Sequence, residues 1–246
     1  IITIIASTLS AGSVTIFNFA HNLQYFAIGL ISHSFAIAAF PTFATLVAEN
    51  KIQSMTEHLS RTIRQVLFLI VPATIIFLLL RAQIVRVVLG AGQFDWADTI
   101  LTADTLAFFV LSLFAQSVVL ILARAYYALK DTWTPFFVGL LTVVLNVAAG
   151  WYLKDVLGVR GLALSFSLSV SVQLAVLWIL LRRKLETLHE ARLLITVYKL
   201  SVAGLIMGLV VQFSKQPLAE LVDMTKFWGI LTQGLVAGAL GIFVYV

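Results

Sequence analysis

Asn18, Asn22, Tyr25, Gly29 and Ser32 follow one another in alternating steps of four and three residues. On an α-helix that spacing stacks two amides, a phenol and a hydroxyl along one face. Such groups exchange hydrogen bonds but supply no strong acid, base or nucleophile, so they offer recognition of a polar ligand or pairing with another helix. Both readings stay open on the residues alone: a stripe lining a polar pathway, or an interface in which amides and small residues pack together. His21 and His33 flank the stripe, twelve positions apart. That separation turns them by about 120° around a helix, so they form no i, i+4 metal pair. A hydrogen-bonded packing role suits each better than pH sensing.

Asn146, one turn beyond Thr142, is a second polar position within an apolar run. It reads as an interhelical hydrogen bond or as part of the same polar path. Asp104 opens another apolar run, where an acid suits the positive end of a helix dipole. Asp95 and Asp98, and Glu186, His189 and Glu190, read as solvated loop residues. Carboxylate pairs deep in apolar segments are missing, and Ser, His and acid show no nucleophile–base spacing. With no Cys at all, disulfides, Cys-ligated zinc, iron–sulfur clusters and a thiol nucleophile are excluded for this sequence. The expectation is a protein that is not an enzyme and carries no cofactor or metal.

The elements that must hold these residues are membrane helices. From Ile1 to Ala48 there is no Asp, Glu, Lys or Arg, and shorter uncharged runs recur to the last residue. Hydrophobic residues make up 61% of the chain and mean hydropathy is +1.04. Charged residues are 11%, against roughly 25% in soluble domains. A partial span is expected over 1–9 and full spans near 14–47, 62–80, 103–123, 135–153, 161–181, 193–213 and 227–246. The first full span exceeds the roughly 20 residues a bilayer core requires, so it should tilt, protrude or break near Pro41. Without an initiator Met, and still apolar at Val246, the chain reads as an interior piece of a longer one.

Charge sets the orientation. Lys51, Arg61 and Arg64, then Arg124 and Lys130, then Arg182, Arg183, Lys184, Arg192 and Lys199 fall in alternate connections and should face the cytoplasm. The others hold only Arg81 and Arg86, Lys154 and Arg160, and Lys215 and Lys226. Topology therefore explains the net charge of +5 without any nucleic-acid partner. Ser10 to Ser13 reads as a turn, and Thr134-Pro135 as an N-cap followed by Pro at the first helical position. Pro72 interrupts the apolar run 67–80 and should kink its helix, as a packed bend or as a hinge. No Gly-xxx-Gly zipper, heptad or short repeat dominates the pattern.

The loop motifs carry a resemblance. Phe19-Ala20-His21-Asn22-Leu23-Gln24, then Ile28-Gly29-Leu30 and Ala39-Phe40-Pro41-Thr42, resemble the eighth-helix region of the MurJ (MviN) family of lipid II flippases. Val88-Leu89-Gly90-Ala91-Gly92-Gln93-Phe94-Asp95 is similar to that family's Gly-x-Phe-Asp loop. Ala123-Arg124-Ala125-Tyr126-Tyr127-Ala128-Leu129-Lys130-Asp131-Thr132-Trp133-Thr134-Pro135 is the most specific match. Asn146, then Leu157-Gly158-Val159-Arg160-Gly161-Leu162-Ala163-Leu164-Ser165 and Arg182-Arg183-Lys184, continue in family order.

The resemblance implies an all-α fold: a polytopic transmembrane bundle forming the C-terminal lobe of a two-lobe flippase. About seven full membrane helices plus the end of another are expected. Residues 1–184 would carry the end of the seventh helix to the twelfth, and 185–246 the thirteenth and fourteenth. It also implies transport of undecaprenyl-pyrophosphate bearing a disaccharide-pentapeptide across the bacterial inner membrane for peptidoglycan assembly. The partners would be that lipid, membrane lipids and an N-terminal lobe of the same chain. Asn18, Asn22, Tyr25 and Asn146 are then the expected substrate-cavity residues, with Arg124 and Asp131 positioning helix ends. The chain departs from the family where many members carry Arg and it has Asn22, where an acid follows the Asn146 position and it has Gly150, and where Ala27 replaces a frequent Pro. Related readings are a flippase for another lipid-linked glycan, a drug exporter of the same superfamily, or a cell-wall scaffold that does not transport.

Overall fold

A computed structural model describes residues 2–90, 94–185, 187–222 and 227–246. Ile1, Glu186 and Lys226, and Ala91 to Gln93 of the Gly-x-Phe-Asp motif, lie outside the described residues. The described residues form α1 (Ile2–Ser7), α2 (Ser13–Ala27), a π segment (Ile28–His33), α3 (Ser34–Ala48), α4 (Ile52–Leu79) and α5 (Arg81–Leu89). Then follow α6 (Trp96–Val110), α7 (Leu113–Ala128), α8 (Trp133–Leu157), α9 (Val159–Lys184), α10 (Glu190–Leu221) and α11 (Phe227–Tyr245). Among the described residues, six helical stretches are long and apolar enough to cross a membrane, or seven with the bent pair of α6 and α7 taken as one span. Taken that way, they correspond one to one with the seven full spans expected.

Most of this apolar surface faces outward. On α8, Phe136, Phe137, Leu140, Val143 and Val144 are exposed, as are Leu194, Tyr198, Leu205 and Phe213 on α10. Such faces would aggregate in water and are satisfied by lipid. Two exposed tryptophans, Trp133 and Trp151, flank these residues on α8. Eighteen residues of helix separate them, about 27 Å, close to the thickness of a hydrocarbon core. Ion pairs gather at the two ends of the bundle: Lys184–Asp131, Arg182–Glu190 and Arg192–Glu57 at one, Arg81–Asp104 and Arg160–Asp104 at the other.

Several local expectations need correction. Of the three options expected for the long first span, to tilt, protrude or break near Pro41, the break does not occur: the irregularity lies at the π segment, and α3 runs through Pro41 to Ala48. The span expected as one helix over 103–123 starts earlier and bends by 44° between α6 and α7. Asp104 therefore sits in the third turn of α6 and acts through Arg160, at 3.2 Å, and Arg81, at 3.8 Å, instead of through a helix end. Asp95 is no idle loop acid: its Oδ1 accepts the Asp98 N–H at 2.8 Å and caps α6. Glu190 opens α10 and pairs with Arg182 at 2.8 Å. The turn at Ser10 to Ser13 forms as expected, with Gly12 at φ 89°.

Thr134 is not the cap of α8. That helix begins two residues earlier than expected, because Asp131 accepts the Thr134 N–H at 3.0 Å and its hydroxyl at 2.6 Å. Lys184, at the end of α9, also donates to Asp131. Partial burial pushes the Asp131 carboxyl up, but the Lys184 ammonium and the two Thr134 donors outweigh it and hold the group at about 2 instead of 3.8. A depressed carboxyl contributes stability above its unfolded pKa and loses it as pH falls through the folded value. Stability from this pair should therefore be full above about pH 4 and decline toward pH 2. Asp131→Ala should cost about 1 kcal/mol at neutral pH and remove that acid-side decline, read by thermal unfolding of the full-length protein in detergent at a series of pH values.

Pro72 leaves α4 continuous. Proline removes the N–H that would bond the carbonyl four residues back, at Phe68. The Tyr245 hydroxyl of α11 donates to that carbonyl at 3.0 Å. The position is thus a packed and satisfied one, and the last helix closes it.

Glycines set the tightest contacts. Gly158, at φ 60° and ψ −137°, makes the turn between α8 and α9 in a region that side chains rarely adopt. A Cβ on Gly161 would lie 2.2 Å from the Leu153 carbonyl oxygen, so only hydrogen lets the two helices meet there. Gly204 and Gly208, a local Gly-xxx-Gly pair, bring α10 onto Val71, Ile75 and Leu79 of α4. The pair Gly234 and Gly238 faces Gln83 and Leu80.

Candidate functional site

The helix formed by α2 and the π segment carries polar groups on two faces, and the structure separates them. Gln24 and Ser32 are fully buried. Gln116 Nε2 donates to Gln24 Oε1 at 2.9 Å, and the Ser32 hydroxyl donates to Ser117 Oγ at 2.7 Å. Both partners lie on α7 just past the bend. There the interrupted helix leaves carbonyls to satisfy, and hydroxyls satisfy them: Ser112 donates to Phe109 O at 2.9 Å and Ser167 of α9 to Phe108 O at 2.6 Å. Gln116 also donates to Ser112 Oγ at 2.9 Å, which joins the seam into one network across α2, α6, α7 and α9. Sequence reasoning missed Gln24, Gln116, Ser112 and Ser167. The available signal was an amide alone in an apolar run, at Gln116 in particular.

Asn18, Asn22 and Tyr25 lie on the other face and are exposed. The five-residue stripe is therefore split, because the π segment's wider hydrogen-bond step shifts the helix phase beyond Ile28 and turns Ser32 inward. Tyr25, 48% exposed, stacks on His21 with ring centroids 6.1 Å apart. Its hydroxyl lies 3.2 Å from His33 Nε2. The two histidines are thus linked through one phenol.

A cavity of about 470 Å³ opens beside this ladder, and Tyr25, His33, Gln116, Thr142, Asn146 and Gln173 contribute its polar lining. Of the four expected cavity residues, Tyr25 and Asn146 meet here. Asn18 and Asn22 stand outside its lining, farther along the exposed face of α2. Asn146 has a second tie, since Ser165 of α9 donates to its Oδ1 at 2.9 Å. One turn on, a Cβ at Gly150 would lie 3.2 Å from Ser165 Oγ, so α8 and α9 are close at this level. The geometry suits hydrogen bonding of hydroxyl- or amide-rich ligands; among the described residues no Asp, Glu, Lys or Arg lines this cavity.

The residues of the most specific sequence motif sit at helix ends. Tyr126 is fully buried and donates to Leu177 O of α9 at 2.8 Å, Asp131 caps α8, and the Arg124 guanidinium lies 5.9 Å from the centre of the Phe40 ring. All three join neighbouring elements.

The family model described as Lipid II flippase MurJ matches residues 1–231. The chain belongs to the MurJ family. A probable lipid II flippase MurJ of Thermotoga maritima is 27% identical over 207 residues, which is 84% of this chain and 41% of that protein. The Rhizobium tropici protein of the same description is 28% identical over 202 residues, 82% of this chain and 38% of the relative. The chain thus matches well under half the length of these curated MurJ relatives. A solved structure, Lipid II flippase MurJ in an inward closed conformation, superposes with a TM-score of 0.76 over 98% of this chain and 48% of the other. At 22% identity, that likeness concerns the fold. The MurJ family match continues through α10 into α11, beyond Lys184 where the recognisable motifs thin out.

Proposed function

We propose that this chain forms the C-terminal lobe of a flippase that carries lipid II from the inner to the outer leaflet of the bacterial cytoplasmic membrane. The observation that carries the reading is the exposed amide face of α2, in a MurJ-family chain whose other outward faces are largely apolar. A lipid-facing helix would not keep Asn18 and Asn22 there, because uncompensated polar groups in hydrocarbon are costly. The pyrophosphate and sugars of lipid II need shelter from hydrocarbon, while the polyprenyl tail does not. Alternating access between two lobes around a polar cavity meets that need.

In this reading Asn18, Asn22 and Tyr25 line the cavity toward the N-terminal lobe, and Asn146 extends it beneath α8. The basic ends face the cytoplasm. No covalent bond changes, so the activity is transport and not catalysis. Residues 185–246 act as a two-helix flank on the 1–184 core.

The test is complementation by the full-length protein in a bacterium depleted of its own flippase, measuring how much lipid II becomes accessible on the outer leaflet. Restored accessibility, relative to an inserted but inactive control, is expected. Correct insertion with no restoration, in a host whose lipid II the protein is shown to bind, would overturn the reading.

A further inference from the structure

At the basic end of the bundle, α3, α4 and α10 enclose a depression of about 510 Å³. Its lining changes along the helix axes. Arg61, Arg64 and Gln65 of α4 and Thr196 of α10 form the outer part. Phe68 and Leu69, farther along α4, and Leu200, one turn along α10, form the inner part. Seven residues from Arg61 to Phe68 correspond to about 10 Å of depth. The lining thus runs from cationic to apolar over the distance from a membrane surface into the hydrocarbon.

Neither arginine has an acidic partner among the described residues. Arg64 Nε reaches only the Ser60 carbonyl, at 3.3 Å, within its own helix. Glu57, one turn before Arg61, is engaged by Arg192 of α10 at 3.8 Å. Two guanidinium groups three residues apart share one side of a helix, and their planar forks match phosphate oxygens. Basic pockets between membrane helices at this level bind anionic head groups.

We propose that this depression is a binding site for an anionic glycerophospholipid of the leaflet at the basic end. Its phosphate lies between Arg61 and Arg64, and one acyl chain lies along Phe68, Leu69 and Leu200. Thr196 and Gln65 hydrogen-bond the head group at the rim. The site is separate from the Tyr25–Asn146 cavity and does not depend on which lipid is transported.

Native mass spectrometry of the purified full-length protein, titrated with phosphatidylglycerol or with phosphatidylcholine of the same chains, tests this. The double variant Arg61→Gln, Arg64→Gln should lose at least about tenfold in phosphatidylglycerol affinity, with phosphatidylcholine unchanged. Arg183→Gln with Lys130→Gln removes equal charge from the same end, away from the lining, and should bind phosphatidylglycerol like the parent. Thr196→Phe, which fills the rim from the other helix without changing charge, should also lower phosphatidylglycerol binding, and it serves if the arginine variant misfolds. Parent-like phosphatidylglycerol binding in the arginine variant, or in Thr196→Phe where the former misfolds, would sink the proposal. An equal loss in the Arg183, Lys130 control would do the same by showing unspecific attraction. Displacement of phosphatidylglycerol by undecaprenyl pyrophosphate, with the same dependence on Arg61 and Arg64, would assign the pocket to the transport route and overturn the phospholipid site.

Discussion

Asn22→Asp in the full-length protein is expected to cut outer-leaflet exposure of lipid II at least about tenfold while leaving insertion and helix content unchanged. Asn22 is exposed on α2, so the near-isosteric change removes no packing. What changes is the sign of the field met by a pyrophosphate. A carboxylate 4 Å from a phosphate oxygen is repelled by about 4 kcal/mol in surroundings of intermediate dielectric, more than enough for a tenfold loss. Asn22→Arg carries the opposite sign and should sustain or raise transport, since a guanidinium pairs with phosphate where an amide only hydrogen-bonds. Transport by the Asp variant at the parental rate, at equal membrane abundance, would remove this face of α2 from the substrate path.

Gly161→Ala is the second large effect, and it falls on the fold. The added carbon would sit 2.2 Å from the oxygen and 2.7 Å from the carbon of the Leu153 carbonyl. Those are backbone atoms of α8, which no rotamer change can move aside. The helices must separate at the turn made by Gly158, and overpacking of this severity costs about 3 kcal/mol. Separation would also disturb the Arg160–Asp104 pair one residue away. Gly139→Ala is the matched control on α8, with nothing within 4 Å of its added carbon. It should be neutral or slightly stabilising, because alanine favours helix over glycine by up to about 1 kcal/mol. Thermal unfolding of both variants in detergent decides the matter: similar losses would show that close approach at Gly161 is not what holds α8 to α9.

Asp131 shows how far motif reading reaches. The run from Ala123 to Pro135 is legible as a distinctive segment, and its Asp as a residue that fixes helix ends. Which group caps α8 was not legible, because Thr134 also has a suitable type at a suitable place. The choice follows from where Lys184 arrives, more than fifty residues later in the chain, and from the buried Tyr126 that pins α7 to α9. Pro72 is a similar case. Its type announces a missing hydrogen bond, but only the packing of α11 reveals that Tyr245 supplies the replacement.

By itself the amino-acid sequence determined that this is a bundle of membrane helices, where the expected spans begin and end to within a few residues for most, and which ends carry the basic residues. Hydropathy and charge act segment by segment, as transfer of each stretch between water and hydrocarbon, so they can be read without knowing any neighbour. The tertiary structure alone decided which polar groups are buried and which face outward. Periodicity assigns residues to a face of a helix but not to a partner, and one π segment was enough to send Ser32 to Ser117 while Asn18, Asn22 and Tyr25 stayed exposed. It also placed the bend between α6 and α7, where Ser112, Gln116 and Ser167 satisfy the carbonyls that a straight helix would have bonded itself. Those pairings join residues far apart in the chain, and their energies exist only once the helices have met.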